Sequence, residues 1–360
     1  RVSGARRCVY ETALGLQSGD APELWNLSEP EKICRHYRSF IEAGSDLVLT
    51  NSFGGNSYRL QLHNQEQDVY GINSAAAELL VSEIQRSGKD VVAAGSMGPT
   101  GEILEPNGQI TIEKAAEAYA AQATALKDGG VDVIWIETIS SIEEATAAVI
   151  GAKETNLPIV LTMSIDSTGR TMMGVSPSEI AQLQSQLPVK PIAFGANCGL
   201  GASEVIAAIM NMQLNNDLSS AAPALVAKGN CGIPEWIDGQ ISYSGNPELM
   251  AKYAAMAIDA GARLIGGCCG TTPDHISELS KILEEVKDRE FIGYSYDGAD
   301  ASFELLARRL MGEIPRYISI NEYDVSVKKD NSGEIISHAC LLYTSPSPRD
   351  ATLSRMPCWA

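Results

Sequence analysis

The stretch TIEKAAEAYAAQATALKDGGVDVIWIET, residues 111–138, decides the fold because it joins a helix pattern to a buried-strand pattern. Residues 111–130 carry apolar side chains at the spacing of a helix packed on one side, and they end in Gly129-Gly130. The run DVIWIET (132–138) is nearly continuous in apolar residues, which is typical of a strand buried on both faces. A helix that leads directly into such a strand predicts one unit of a parallel α/β sheet.

The same unit recurs along the chain, with Ala/Glu/Leu-rich segments such as NPELMAKYAAMAIDAGA (246–262) between the strands. The seven predicted strands are DLVLTNSFG (46–54), DVVAAGSMG (90–98), DVIWIET (132–138), PIVLTMSI (158–165), PIAFGANCG (191–199), ALVAKGNCG (224–232) and RLIGGCCG (263–270). An eighth would come from the N-terminus, before a helix at 29–43. Eight units over roughly 290 residues predict a (β/α)8 TIM barrel. The rival is an open doubly wound sheet, whose usual GxGxxG fingerprint after the first strand is absent.

The repeating pattern stops near residue 288, and the sequence therefore predicts three regions. Residues 1–288 form the α/β barrel, with an irregular N-terminus. Residues 289–339 form a C-terminal extension of unknown role, with a helix over 303–312 and a hairpin within 316–338. Residues 340–360 have no apolar periodicity and resemble a translated adapter sequence, so they are expected to be an unstructured or artefactual tail.

The composition argues against several classes of function. The formal net charge of -18 disfavours binding to nucleic acid or to an anionic membrane surface. No apolar run reaches the roughly 18 residues of a membrane helix, and the first residues, RVSGARRCVY, lack the apolar core of a signal peptide. Eight cysteines in 360 residues are not a dense disulfide framework, which favours a cytoplasmic protein with reduced thiols.

Polar residues end almost every predicted strand. In a parallel barrel the carboxyl ends of all strands meet at one rim, where active sites lie. We therefore expect one site to be surrounded by Thr50-Asn51-Ser52, Ser96, Glu137-Thr138, Asn197-Cys198, Asn230-Cys231 and Cys268-Cys269.

The cysteines are the most informative of these residues. Cys268 and Cys269 are neighbours within GGCCG (266–270), and Cys198 stands at another strand end beside a glycine. Neighbouring side chains of a regular strand point to opposite faces, so the two thiols share a metal only where the strand is interrupted, as flanking glycines permit. Three thiolates predict a tetrahedral Zn²⁺ site with one open position. Simple packing of small residues and a vicinal disulfide are the alternatives, and Cys231 competes with Cys198 as the third ligand.

Three thiolates would suit a reaction in which the metal activates a nucleophile. A substrate thiol that takes the open position loses its proton and remains nucleophilic because the site is electron-rich. Zinc hydrolases more often use histidine and carboxylate ligands. None of the histidines, which are His36, His63, His275 and His338, lies at a predicted strand end.

Five stretches resemble the homocysteine S-methyltransferase family: APELWN (21–26), LTNSFGGN (49–56), GSMGPTGE (95–102), GANCGLGAS (195–203) and GGCCGTTPDHI (266–276). Two more, KGNCGIPEW (228–236) and ISYSGNPELMAKY (241–253), look closest to bacterial betaine–homocysteine S-methyltransferases. The resemblance covers about residues 11–285. It implies Cys198, Cys268 and Cys269 as zinc ligands and Glu137 as the partner of the substrate amino group. The alternative for Glu137 is a structural role as a capping or ion-paired glutamate. Asn230 would contact zinc or substrate, and Ser96 with the turn 95–101 would offer N–H groups to a carboxylate.

The chain departs from the family pattern at two places. Family members open with a strand that ends in an Asp-Gly motif, whose aspartate helps to bind the amine. That place holds Val2-Ser3-Gly4 here, and no aspartate precedes Asp20. We therefore expect a truncated or shifted N-terminus, or a first strand that is partly missing. The vertebrate betaine enzymes also carry a tyrosine after the glutamate, where this chain has Thr138.

The resemblance implies that homocysteine takes a methyl group from a small cationic donor and becomes methionine, with no catalytic residue expected beyond the zinc site. Glycine betaine is the expected donor, and S-methylmethionine, dimethylsulfoniopropionate and a methylfolate are alternatives. Cation–π contacts to the donor would come from Trp25, Tyr58, Trp135 and Trp236, and the alternative for each ring is simple packing. Hypotheses of another class are a non-catalytic barrel held by zinc, with Cys231 as fourth ligand, and an inactive homologue. A homo-oligomer is left open.

Overall fold

The structure is a computed structural model of the chain, and it describes residues 2–3, 15, 20–199, 201–214, 223–232, 234–237 and 240–286. The chain divides into the units Arg1–Gly293 and Tyr294–Ala360, and every described residue belongs to the first unit. The predicted extension 289–339 and the predicted tail 340–360 lie outside the described residues.

A curled parallel sheet forms the centre of the fold. The described strands are β1 (Val2–Ser3), β2 (Leu47–Leu49), β3 (Val92–Met97), β4 (Val133–Ile139), β5 (Ile159–Ser164), β6 (Ala193–Asn197), β7 (Ala224–Gly229), β8 (Pro234–Ile237), β9 (Gln240–Tyr243) and β10 (Ala262–Gly267). Seven of them pair in the order β10-β7-β6-β5-β4-β3-β2, and β8 and β9 form a separate antiparallel hairpin. Each of the seven corresponds to a run that the sequence predicted as a buried strand.

The two-residue β1 lies between the two edges of this sheet. Val2 and Ser3 pair in parallel with Ile265 and Gly266 of β10, and Ser3 also pairs with Leu47 of β2. The short β1 thus pairs with both edge strands of the seven-stranded sheet. This is the position that the sequence assigned to an N-terminal strand.

Helices alternate with these strands. They are α1 (Trp25–Ser28), α2 (Pro30–Glu42), α3 (Ser57–Gln61), α4 (Val69–Ser87), α5 (Ile112–Asp128), α6 (Ile142–Lys153), α7 (Pro177–Leu183), α8 (Ala202–Leu214), α9 (Pro247–Asp259) and α10 (Pro273–Val286). Two short 3₁₀ segments lie at Pro22–Leu24 and Glu66–Asp68. Side-chain caps begin several helices: Thr111, Ser141, Ser176 and Asn246 each accept a hydrogen bond from the backbone three residues later. No helix among the described residues has both the length and the apolar character needed to cross a bilayer.

The inner face of the sheet is apolar near the amino ends of the strands and polar toward their carboxyl ends. One buried cluster on this face consists of Leu47, Leu49, Ala94, Val133, Trp135, Val160, Ala193 and Val226. Because strand side chains alternate between faces, the next inward positions are two residues further along each strand. These positions hold Ser96, Glu137, Thr162 and Lys228, all of them buried. The inner face therefore ends in a polar layer beneath the rim.

Candidate metal centre and substrate site

The structure brings together the three cysteines that the sequence proposed as ligands. The Sγ atoms of Cys198, Cys268 and Cys269 all lie within 4.8 Å of one another, and those of Cys198 and Cys269 are 4.0 Å apart. Cys268 is buried, while the other two are partly exposed. Three thiols from the ends of β6 and β10 thus face one point at the rim.

The backbone at these strand ends explains how the thiols converge. Cys198 follows the last residue of β6 and adopts φ 62°, in the left-handed region that non-glycine residues rarely occupy. On the other side, Cys268 N donates to Gly229 O at 2.7 Å, and Cys231 N donates to Cys269 O at 2.9 Å. The adjacent pair is thereby attached to the end of β7 beyond the regular ladder. The interruption of the strand that the sequence required is present.

Asn197 connects the thiol cluster to the end of β4. Its Oδ1 accepts from Thr138 N at 2.9 Å, and its Nδ2 donates to Thr138 Oγ1 at 2.8 Å. The same amide also donates to Cys268 Sγ at 3.8 Å. Thr138 has φ 64°, so a second non-glycine residue holds a left-handed conformation beside the cluster. Such conformations cost on the order of 1–3 kcal/mol each and persist where neighbouring contacts enforce them.

Asn230 holds two cysteine-bearing turns together. Its Oδ1 accepts from Cys269 N at 3.0 Å, and its Nδ2 donates to Gly199 O at 2.7 Å. The sequence proposed Asn230 as a contact to zinc or substrate. In the structure the side-chain amide of Asn230 holds Cys269 through the N–H of that cysteine, and it holds Cys198 through the carbonyl of the next residue, Gly199.

Cys231 lies outside the group of three thiols. Its Sγ is 3.1 Å from Nε2 of His275, whose Nδ1 accepts from Thr272 N at 3.0 Å. Cys231 is fully buried, and burial raises the pKa of its thiol to about 12. The described residues therefore offer three cysteines to a metal, and the fourth candidate is a protonated thiol that packs against a helix.

The three clustered thiols favour a deprotonated member. Hydrogen bonds from Cys268 and Cys269 lower the pKa of the Cys198 thiol well below its ordinary value. The hydrogen bond to Cys198 also raises the pKa of Cys268, because that thiol acts as a donor. Thiols this close together lose their protons as a group and not independently. A soft, thiolate-rich donor set of this kind suits Zn²⁺.

Glu137 lies in the polar layer below the cluster and has two strong partners. Its Oε1 accepts from Ser96 Oγ at 2.5 Å, and its Oε2 accepts from Lys228 Nζ at 2.6 Å. Both ionic side chains are 0% exposed, and Lys228 Nζ lies 5.4 Å from the centre of the Trp135 ring. Sequence reasoning singled out Glu137 and Ser96 but missed Lys228. The sequence signal for Lys228 was a lysine inside the apolar run ALVAKGNCG. It stands two residues after Val226, so both side chains lie on the same face of the strand.

The end of β3 and the turn that follows it use several of their N–H groups within the protein. Ser96 N donates to Thr50 Oγ1 at 2.9 Å, and Gly98 N donates to Phe53 O at 2.9 Å. Thr100 N donates to the carboxylate of Glu144 at 2.8 Å. These N–H groups already have acceptors in the protein. The remaining N–H groups of the turn are still predicted to bind a substrate carboxylate.

The candidate aromatic contacts are spread through the structure. Trp135 is fully buried inside the sheet, and the ring of Trp25 lies 4.5 Å from Lys32 Nζ. Tyr58 is on α3, and Trp236 is on β8, where side chains are outside the described part of the chain. Among the described residues these rings do not identify a donor site.

Comparison with known proteins assigns the family. The model of the homocysteine S-methyltransferase family matches residues 9–283, which contain all the described elements except β1 and the last turn of α10. The chain therefore belongs to the homocysteine S-methyltransferase family.

Two known proteins are similar to this chain. The methionine synthase of Mycobacterium leprae (strain TN) is 29% identical over 307 residues, which are 79% of this chain. The match covers 25% of that protein, so the chain spans about a quarter of this relative's length. The metallated form of the homocysteine methyltransferase MmuM from Escherichia coli has a TM-score of 0.63 at 21% identity, with 78% of this chain and 94% of that chain covered. Its oxidized form has a TM-score of 0.62 at 22% identity, with the same coverage. Likeness at this identity shows a shared fold.

Proposed function

We propose that this chain catalyses zinc-dependent transfer of a methyl group from a small cationic donor to the thiol of homocysteine, which gives methionine. Family membership supports methyl transfer to homocysteine. The observation that carries the zinc dependence is the convergence of Cys198, Cys268 and Cys269 within 4.8 Å. We further propose that the curled sheet is a full (β/α)8 barrel in which β1 is the eighth strand.

The thiol cluster fits Zn²⁺ in chemistry and in spacing. Thiolates about 2.3 Å from a tetrahedral zinc lie about 3.8 Å from one another. The sulfurs of Cys198 and Cys269 are 4.0 Å apart, so they need little movement to reach that spacing. Cys231 faces His275 instead, which leaves three protein ligands and favours an open site over a closed structural one. When bound, zinc would lower the pKa of a substrate thiol and present it as a thiolate nucleophile.

The protein's own residues would bind and orient the substrate. Glu137 would take the α-ammonium group of homocysteine, because it is a buried carboxylate in the layer directly below the thiols. Ser96 would orient this carboxylate through its hydrogen bond to Oε1. Asn197 and Asn230 would keep the three cysteines in position through their contacts with the strand ends. Methyl transfer from a cation to a thiolate cancels two charges, so exclusion of water at the rim would favour it.

Glycine betaine is the donor that we propose, on the basis of the likeness of the segments 228–236 and 241–253 to bacterial betaine–homocysteine methyltransferases. S-methylmethionine, dimethylsulfoniopropionate and a methylfolate are the alternatives. A sulfur-held zinc requires reduced thiols, which is consistent with a reaction in the cytoplasm.

A pair of matched variants tests the proposal. Zinc content and methionine formation are measured for the wild-type chain, Cys268→Ser and Cys231→Ser, with homocysteine and each of the four donors in turn. We expect one zinc per wild-type chain and both properties lost in Cys268→Ser, because a hydroxyl is a harder and less acidic ligand than a thiol. Cys231→Ser should keep both.

Each failure would point to a different conclusion. Stoichiometric zinc in Cys268→Ser would contradict the metal assignment, and zinc loss in Cys231→Ser would support a closed structural site. Zinc binding without methionine formation from any donor would favour the inactive homologue.

A further inference from the structure

We propose that Lys228 is a specificity residue for the amino-acid end of the substrate: its ammonium group binds the α-carboxylate while Glu137 binds the α-ammonium. The inference rests on the proposed function, because it takes homocysteine as the thiol substrate. It adds a side chain that binds the α-carboxylate. Neither the sequence motifs nor the metal site provides one.

The ion pair itself needs an explanation. The side chains of Lys228 and Glu137 are 0% exposed, and Nζ lies 2.6 Å from Oε2. They lie inside a sheet whose inner face is apolar near the amino ends of the strands. Removing two charges from water costs about as much as their attraction returns, so a buried ion pair is a poor way to stabilise a fold. A binding role accounts for its presence better than stability does.

Lys228 has hydrogen-bonding capacity left over. Its ammonium group carries three N–H donors, and within the described part of the chain one hydrogen bond uses them, to Glu137 Oε2. Two more buried groups at inward positions of β4 and β5, Trp135 Nε1 and Thr162 Oγ1, have no hydrogen-bond partner among the residues that the structure describes. Buried polar groups are nearly always paired. The unused donors of this layer thus indicate a missing acceptor.

An α-amino acid supplies an acceptor for the unused donors of Lys228, and its ammonium group suits the Glu137 carboxylate. Its carboxylate and ammonium are joined to one carbon, so they can lie alongside an ammonium and a carboxylate that already touch. Each charge then meets its opposite, and the net charge of the buried layer does not change. The competing site is the end of β3 with the turn that follows it, where the N–H groups of Ser96, Gly98 and Thr100 are already used within the protein.

Binding of three thiols to zinc-loaded protein tests this assignment. They are homocysteine, 3-aminopropane-1-thiol, which lacks the carboxylate, and 4-mercaptobutanoate, which lacks the ammonium. Calorimetry gives the Kd of each for the wild-type chain, for Lys228→Met and for Lys281→Met, a matched change at a lysine whose side chain is 62% exposed. In the wild type, loss of the carboxylate should weaken binding by about 10- to 100-fold, as expected for one charged hydrogen bond.

In Lys228→Met, homocysteine and 3-aminopropane-1-thiol should bind equally within about threefold. Lys281→Met should behave as the wild type. If Lys228→Met still prefers homocysteine tenfold or more, the carboxylate is bound elsewhere and the inference is wrong. It is equally wrong if Lys228 only orients Glu137, in which case both ammonium-bearing thiols weaken together and 4-mercaptobutanoate is unaffected.

A second variant protects the test against misfolding, since Lys228→Met leaves a buried carboxylate without its cation. The double variant Glu137→Gln with Lys228→Met removes both charges, a change that folded proteins often tolerate. It should bind all three thiols with similar affinity, and a retained tenfold preference for homocysteine would again overturn the inference. These are binding measurements, so they remain informative if no donor yields methionine.

Discussion

Replacement of Glu144 should weaken the support behind the substrate site. Its Oε1 accepts from Thr100 N at 2.8 Å, from Thr100 Oγ1 at 2.6 Å and from Tyr119 OH at 3.1 Å. Glu144 lies on α6 and Tyr119 on α5, while Thr100 is in the turn that follows Ser96. One buried carboxylate oxygen therefore connects two outer helices to a turn at the rim.

The expected cost follows from the groups that are left behind. In Glu144→Ala the hydroxyls of Thr100 and Tyr119 lose their acceptor, and these residues are 2% and 0% exposed. Each buried donor without a partner costs about 1–3 kcal/mol, so we expect a total loss of about 3 kcal/mol. Tyr119→Phe removes one donor and leaves the carboxylate two others, so it should cost about 1 kcal/mol.

Urea unfolding at neutral pH measures these differences. Glu117→Ala, at an exposed position of α5, is the control and should change the free energy of unfolding by less than about 0.5 kcal/mol. A loss below about 1 kcal/mol in Glu144→Ala would refute the reasoning, because three hydrogen bonds to one buried carboxylate could not then be significant. A loss in Tyr119→Phe as large as that in Glu144→Ala would show that the aromatic hydroxyl, and not the carboxylate, is the critical group.

Three further predictions concern the metal site, the ion pair between α2 and α4, and the tail. Homocysteine binding to the zinc-loaded chain should release about one proton near neutral pH, because zinc takes the thiolate of a thiol that is protonated when free; binding heats that do not vary with buffer ionisation enthalpy would contradict this. Hydrogen bonds from Arg38, at 2.9 and 3.0 Å, lower the pKa of Glu83 below its ordinary 4.5. This stabilisation is complete above that pH and disappears as pH falls through the lowered value, so Arg38→Met should cost about 1 kcal/mol at pH 7 and almost nothing in strong acid; equal urea midpoint shifts at both pH values would count against it. Deletion of residues 340–360 should leave the melting temperature unchanged, since they have no apolar face to bury; a large drop would show that they pack on the rest of the chain.

Most of the sheet could be predicted because each strand carries its own signal. The run DVIWIET (132–138) corresponds to β4 at Val133–Ile139, and the predicted helix 29–43 corresponds to α2 at Pro30–Glu42. Buried parallel strands are apolar on both faces, so the pattern is readable without knowledge of their neighbours. The hairpin of β8 and β9 was missed because its short strands lack such a run. The pair Asp238-Gly239 between them is a hairpin signal that could have indicated it.

The contacts inside the site were less predictable from the sequence. They depend on which inward-facing side chains of different strands lie at the same height along the sheet. Glu137 is recognisable as a polar strand end, but its partner Lys228 is on a strand that is not its neighbour in the sheet. The local sequence of neither strand predicts the ion pair between Lys228 and Glu137. The alternation of side chains along β7 places Lys228 on the inner face, and the curvature of the sheet brings its Nζ to 2.6 Å from the Glu137 carboxylate.

The two Asn-Cys-Gly triplets, at 197–199 and 230–232, show this dependence most directly. The sequence left Cys231 as a rival of Cys198 because it too stands at a predicted strand end, and both cysteines lie in an Asn-Cys-Gly triplet. Asn197, however, pairs with Lys228 in the β6–β7 register, so the second triplet begins two residues beyond the level of the first. Asn197 therefore reaches sideways to Thr138, while Asn230 reaches over the rim to Gly199 and Cys269. The higher position also carries Cys231 away from the cluster toward His275. The number of thiols in the cluster thus depends on the register of these two strands, and a shift of that register would change the cluster without changing either motif.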